Sequence, residues 1–377
     1  MRQTIFWILT LILHLVLPGF VLHARTKLVA LPERASIRLE LSHPDTTLVE
    51  EERVLPLQKG ANQIDFSWKG VNIDPDSIRI RILSHPDQVH LLSVSYPPNE
   101  AALVWSLYSE NSWEVRVRIS YLLSAIDRLV TYKAMATKDE DQVDLESYLV
   151  LRNFSGEEFD RVMVRLDYGE AFESSIAHEE TKRTLLLHRK NLPITKTYTF
   201  DANLLPWDPK EVEDNVGIPV HYVIKNDEDS GLGEHGLWDG KARIFQDDGH
   251  ESTIFLGEDM AGYVPVNESM KLYIGDSRDI VVTQRKIKEE RIHIRKNNSG
   301  SIVLFDTDEL MDVKVENFKD KEATLTLIQT IPGQWDMAES THDFTKKDAN
   351  NLEFSLSIPA QDNIQLQYNY HRRNLRN

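Results

Sequence analysis

"WEVRVRISY" (Trp113–Tyr121) sets apolar residues two apart, with charged or hydroxyl residues between them. A period of two sends successive side chains to opposite faces. The stretch therefore reads as a strand with one face in a core and the other in water. The same alternation recurs in "SIRLEL" (Ser36–Leu41), "NQIDFSW" (Asn62–Trp68), "SIRIRIL" (Ser77–Leu83) and "RIHIRKN" (Arg291–Asn297). Turn signals separate the strands: "QKGAN", "HPD" twice, "FSGEE", "DDGH" and "NNSGS". A strand roughly every 8–14 residues is the spacing of sandwiches and barrels. Helical periodicity is confined to short weak pieces at 121–130 and 306–311. The expected class is all-β: tandem antiparallel β-sandwich domains, immunoglobulin-like, after an N-terminal signal helix.

A chain of 377 residues is too long for one ordinary domain. Four zones are expected. Residues 1–24 are a signal peptide, with a retained anchor as the second choice. Residues 25–108 form an N-terminal strand-rich domain. Residues 109–217 form a middle β domain ending in the acidic linker "WDPKEVEDNVG". Residues 218–377 form a C-terminal β-sandwich closed by "LEFSLSIPAQDNIQLQYNYHRR". The signal reading rests on Arg2, the apolar run Ile5–Leu17, the Pro18-Gly19 break and the small Ala24. That run is short for a stable span of about 20 residues. The expected location is outside the cytoplasm, in the periplasm or on the envelope, with membrane contact only through the first segment if it is not cleaved. The net charge of −17 argues against nucleic acid, whose phosphates need clustered Lys and Arg. With no cysteine, thiolate chemistry and Cys-ligated zinc are excluded.

The stretch where chemistry would be sought is "NDEDSGLGEHGLWDGKARIFQDDGHESTIFLGED" (Asn226–Asp259). Seven of the sixteen glycines fall between Gly231 and Gly262. No Lys-Ser/Thr pair follows them, and "KARIFQ" alternates like a strand, so a phosphate loop is not supported. An EF-hand fails on register and lacks a glutamate at its twelfth position. Asp227, Asp229, Asp239, Asp247, Asp248 and His250 remain weak candidates for a metal. Calcium is the cation that such an oxygen-rich loop would take, while the plain expectation is no cofactor. The competing reading makes "QDDGH" a type I′ hairpin turn and "LGED" a further turn. "GLGEHGLWDG" is then a crossing with Leu232, Leu237 and Trp238 beneath it. No nucleophile elbow or H-E-x-x-H helix is present, and no two histidines stand four apart.

Four stretches carry a resemblance to a known family. They are "VEEERVLPLQKGANQIDFSWKGVNIDPDSIRI" (Val49–Ile80), "YLLSAIDRLVTYKAMA" (Tyr121–Ala136), "VLRNFSGEEFDRVMVRL" (Val150–Leu166) and Ile224–Lys286. The last carries Asn, Gly-x-Gly, a glycine before a strand, "LGED" and a glycine before "DIVV". In this order they resemble the bacterial proteins similar to mucoidy inhibitor A, which have a large C-terminal domain of unknown function. Two departures stand out. Arg128 occupies a place where the family carries an aromatic residue, and the coiled-coil insertion expected between residues 85 and 115 is missing. The chain thus resembles a short form. The resemblance implies an exported, sandwich-rich protein and brings no catalytic residues.

The expectation is a non-catalytic binding or scaffold protein of the cell envelope, its partner an envelope protein or polysaccharide. The alternative is a secreted or periplasmic metal-assisted hydrolase using the acidic and histidine residues of 227–258. Convergence of His235, Asp239, Asp248 and His250 in a pocket would favour the hydrolase, and outward-facing turn residues the binder.

Overall fold

Val115, Val117, Ile119, Tyr121 and Leu123 are all buried, while the residues between them face outward or are half-buried. The opening alternation is therefore a true inside–outside pattern. The computed structural model describes residues 27–29, 31–43, 45–167, 170–208 and 217–376. The expected signal segment, residues 1–24, and most of the acidic linker lie outside the described residues.

In chain order the strands begin with β1 (Lys27–Val29), β2 (Ser36–Glu40), β3 (Thr47–Leu57), β4 (Gly60–Ser67), β5 (Arg79–Ile82), β6 (Val89–Ser95), β7 (Ala102–Ser109) and β8 (Trp113–Leu123). They continue as β9 (Ile126–Ala136), β10 (Gln142–Asn153), β11 (Phe159–Arg165), β12 (Phe172–Ile176), β13 (Thr181–Pro193), β14 (Thr195–Asp201), β15 (Ile218–Lys225), β16 (Gly240–Asp247) and β17 (Thr253–Ala261). The last are β18 (Ser269–Ser277), β19 (Ile280–Lys296), β20 (Ile302–Asn317), β21 (Ala323–Thr330), β22 (Gln334–Ser340), β23 (Thr345–Lys346), β24 (Asn351–Ile358) and β25 (Asn363–Leu375). Among the described residues there is no α-helix, and the class is all-β with mostly antiparallel sheets. Consequently no helix among them is long and apolar enough to cross a membrane. The two stretches with weak helical periodicity are extended instead: 121–130 spans β8 and β9, and 306–311 lies in β20. In β20 the inward positions include Thr307 and Glu309, so polar residues on the core face masked the alternation.

The described residues fall into two compact units: those up to Ile126 together with those of 153–179, and those of 127–152 together with those from Glu180 onward. The zones expected from sequence divide the chain consecutively, whereas the units divide it in space. After Ile126 the chain contributes β9 and nearly all of β10 to the second unit, then returns to the first at Asn153.

The first unit holds two sheets, ordered β1-β4-β7-β6 and β12-β11-β2-β3-β8-β5. Phe66 of β4 packs its ring 5.8 Å from Tyr121 of β8 and 5.5 Å from Trp105 of β7, which joins the sheets across a shared core. Inside this core β3 carries a charge. Glu51 is fully buried and accepts from Arg34 Nε at 2.6 Å and Arg53 Nε at 2.8 Å. Two guanidiniums offset the cost of taking that carboxylate out of water.

The second unit holds three sheets: β13-β10-β9-β16-β17, β18-β15-β14-β21-β24-β23 and β19-β20-β25-β22. The latter two enclose one continuous core, with Leu325, Leu327, Phe354 and Leu356 from one sheet and Met311, Val313, Leu366 and Tyr368 from the other. The pairings β1–β4, β2–β11, β14–β21 and β9–β16 are parallel. Strands distant in sequence thus become neighbours, as sandwich crossovers require. Buried asparagines pin turns in both units. In the first unit Asn62 donates to Gln58 O and Gly60 O. In the second, Asn317 donates to Lys321 O, Ile358 O and Pro359 O at 2.9–3.2 Å.

Candidate functional site

The glycine-rich crossing between β15 and β16 is organised by Asn226, which is fully buried. Its amide donates to the carbonyls of His235, Val264 and Pro265 at 3.0, 3.2 and 3.1 Å, and its Oδ1 accepts from Gly233 N at 3.0 Å. One side chain therefore ties the start of the crossing, its middle and the β17–β18 connection together. Ser230 adds a second tie, donating from its hydroxyl to Lys225 O at 2.7 Å. Gly233 has a φ of +92°, and a Cβ there would meet Asp227 C at 2.7 Å. The loop closes on itself too tightly at this point for any other residue.

Beneath the crossing lies a cavity of about 130 Å³, lined by Tyr132, Ser147, Arg189, Leu232, Leu237 and Trp238 among others. Tyr132 OH donates to Trp238 O at 2.7 Å, and burial raises the Tyr132 pKa well above the ordinary phenol value. Arg189 is held at the rim, donating to Gly231 O at 3.2 Å with Glu234 at 3.6 Å. Leu232 and Leu237 are buried, as the sequence suggested, whereas Trp238 is only half-buried and lines the cavity. A space this small takes a side chain, a small ligand or a few waters. Its buried phenol is a hydrogen-bonding group rather than a base at neutral pH.

The acidic and histidine residues singled out in the sequence do not converge. Asp227 Oδ1 accepts from Ser230 N at 2.8 Å. Asp247 Oδ1 accepts from Gly249 N at 2.7 Å, and Asp248 Oδ1 from His250 N at 2.7 Å and Ser252 N at 3.0 Å. Asp229, His235, Asp239, Asp247 and His250 are exposed. Asp227, Asp247 and Asp248 thus cap their own turns, the usual role of Asx residues in loops.

Two local expectations change. The hairpin at "QDDGH" is not a two-residue type I′ turn. Asp247 pairs with Thr253 and five residues, 248–252, form the loop, with positive φ at Gly249 (+77°) and Glu251 (+61°) and not at Asp248. The two oxygen caps of Asp247 and Asp248 stabilise this longer loop. "LGED" is not a turn but part of β17. The register slips between Ile244↔Gly257 and Phe245↔Phe255, leaving Leu256 as the extra residue of a bulge.

Among the described residues, the His/Asp/Glu group whose ligand atoms all lie within 4.8 Å of one another is His293, Asp306 and His371. Sequence reasoning did not bring these three together. They come from β19, β20 and β25, and only the sheet register makes them neighbours. The available signal was faint: each lies in a strand whose polar positions carry His or Asp. No family model matches the chain, and no curated protein matches it.

Proposed function

We propose that this chain is an exported cell-envelope protein that binds a partner without transforming it, a short form of the mucoidy inhibitor A-like proteins. One observation carries the reading. The polar groups of Asn226–Asp259, where chemistry was to be sought, cap turns and tie strands, and the residues proposed for catalysis do not come together: His235 lines the small cavity, Asp239 and His250 are exposed, and Asp248 caps its own loop. A hydrolase needs an acid, a base or a metal-bound water converging on one reacting atom. A loop whose carboxylates accept from its own backbone is a rigid frame for a recognition surface instead. Immunoglobulin-like topology, periplasmic or surface location and an envelope protein or polysaccharide as partner belong to the same proposal.

The test combines retention and turnover. Purified protein is incubated with isolated envelopes and sedimented, and the supernatant is assayed for released sugar or peptide fragments. Cross-linking in the native envelope, read by mass spectrometry, then identifies the retained partner. Retention without fragment release, unchanged in Asp247→Ala with Asp248→Ala, is the expected result. Release that those substitutions abolish would establish the metal-assisted hydrolase instead.

A further inference from the structure

On the outer face of the four-stranded sheet, β20 lies between β19 and β25. Thr307 and Glu309 of β20 point into the core, so Asp306 and Asp308 point out of it. Asp308 stands opposite His371 of β25 in the antiparallel register, and Asp306 stands opposite Ile292 of β19, next to His293. The ladder slips between Ile292 and Arg295, and His293 has a φ of +49°. That bulge re-aims the imidazole so that its Nδ1 lies 3.0 Å from Asp306 Oδ2. His371 Nε2 approaches the same oxygen at 3.7 Å.

We propose that His293 Nδ1, Asp306 Oδ2 and His371 Nε2 form a binding site for a divalent transition metal, with zinc as the best fit. Three features of the geometry support this. First, nitrogen and oxygen ligands about 2.0–2.2 Å from a tetrahedral zinc stand about 3.4 Å from each other. The two separations to the shared Asp306 Oδ2, 3.0 and 3.7 Å, bracket that figure, and all three ligand atoms lie within 4.8 Å of one another, so rotamer changes at the exposed His293 would seat the ion. Second, the ligands are oriented from behind. His371 Nδ1 lies 2.9 Å from Asp308 Oδ1, which directs Nε2 toward the site, and Asp306 Oδ1 accepts from Asn374 N at 2.9 Å, which leaves Oδ2 for the metal. A carboxylate behind a ligating imidazole is the usual support of a protein metal site. Third, the donor set is mixed. Two imidazoles with one carboxylate suit zinc and its neighbours, whereas calcium and magnesium take oxygen ligands. Asp306 and His371 are largely covered, with side-chain exposures of 14% and 20%, while His293 is 68% exposed. The ion would therefore be anchored from below and open to solvent on one side, with a coordination position left for water or for a group from a partner. The site is independent of the loop at 226–259 and of the binding reading.

The experiment titrates zinc into the chelator-stripped, tag-free full chain, by calorimetry and by competition with a chromophoric chelator. Cobalt serves as a visible reporter of four-coordinate geometry. One zinc per chain is expected. Asp306→Asn and His371→Ala should weaken binding by roughly a hundredfold or more, and Asp308→Asn by roughly 10–100-fold, the range for loss of a supporting carboxylate. Asp247→Ala with Asp248→Ala should leave affinity unchanged. Circular dichroism checks that each variant is folded. His293→Gln, on an exposed side chain, supplies a ligand deletion that does not disturb the core. Absence of stoichiometric zinc binding overturns the proposal. So does binding that survives both His293→Gln and Asp306→Asn, which would leave the cluster as a set of histidine–carboxylate ion pairs.

Discussion

Asn226→Asp exchanges one NH2 group for an oxygen and changes almost nothing in shape, so its cost isolates the hydrogen-bond knot. The native amide serves three carbonyls at 3.0–3.2 Å with its two hydrogens, and Oδ1 serves Gly233 N. A carboxylate keeps the acceptor role and loses the donors. At about 1 kcal/mol per net hydrogen bond the two lost donors account for about 2 kcal/mol. The three carbonyls then face a negative charge in a fully buried position, and an uncompensated buried polar group adds about 1–3 kcal/mol more. The expected destabilisation at neutral pH is about 3–5 kcal/mol. It should exceed that of Asn226→Ala, which loses the same donors without adding a charge. It should also shrink in mild acid, where the introduced carboxyl gains a proton and becomes a donor. Two measurements check this: urea melts at two pH values, and hydrogen exchange of segment 226–268, which should open locally before the rest of its unit. A loss below about 1 kcal/mol, or a smaller loss than for the alanine variant at neutral pH, would refute the view that Asn226 organises the crossing.

Glu51→Gln should destabilise the first unit by about 3 kcal/mol, because it leaves the buried Arg53 beside a neutral group, while the half-buried Arg34 keeps Glu157 as a partner; a urea melt within about 1 kcal/mol of wild type would contradict this. Gly249→Val should cost about 1–2 kcal/mol through its positive φ, while Gly249→Asn should melt close to wild type, and equal melting temperatures for the two would remove the backbone argument. For Glu309, burial opposes ionisation, but hydrogen bonds from Lys286, Tyr370 and Thr307 overcome it and hold the carboxyl below its ordinary value. The unfolded chain thus binds the proton more readily, so the carboxylate's contribution is complete above the ordinary glutamate range and is lost as pH falls through the lowered folded value. Melts at descending pH should show a shallower acid limb in Glu309→Gln than in wild type. Calcium should leave the melting temperature unchanged, since the loop aspartates cap turns; a true site at a hundredfold excess over its dissociation constant would add about 2.7 kcal/mol, visible as a shift of several degrees.

Alternation alone determined the fold class. Each of "WEVRVRISY", "NQIDFSW" and "LEFSLSI" carries its inside–outside pattern within a few residues, and a period of two is a local property that needs no partner to be read. The crossing was legible in part for a similar reason, because Leu232 and Leu237 are aliphatic residues in a glycine-rich stretch and had to be covered. The alternation failed where inward positions are polar. Glu51, Arg53, Thr307 and Glu309 look like surface residues until their partners arrive from elsewhere in the chain: Arg34 from the segment before β2, Lys286 from β19 and Tyr370 from β25. At "QDDGH" and "LGED" local chemistry sets only a preference for a turn, while register across β16 and β17 sets the actual five-residue loop and the bulge inside β17. The His293, Asp306 and His371 cluster was invisible for the deepest reason. Its members are 13 and 65 residues apart along the chain, and only the pairing of β19, β20 and β25, with one bulge turning His293 toward Asp306 on the outer face, brings three ordinary strand residues together.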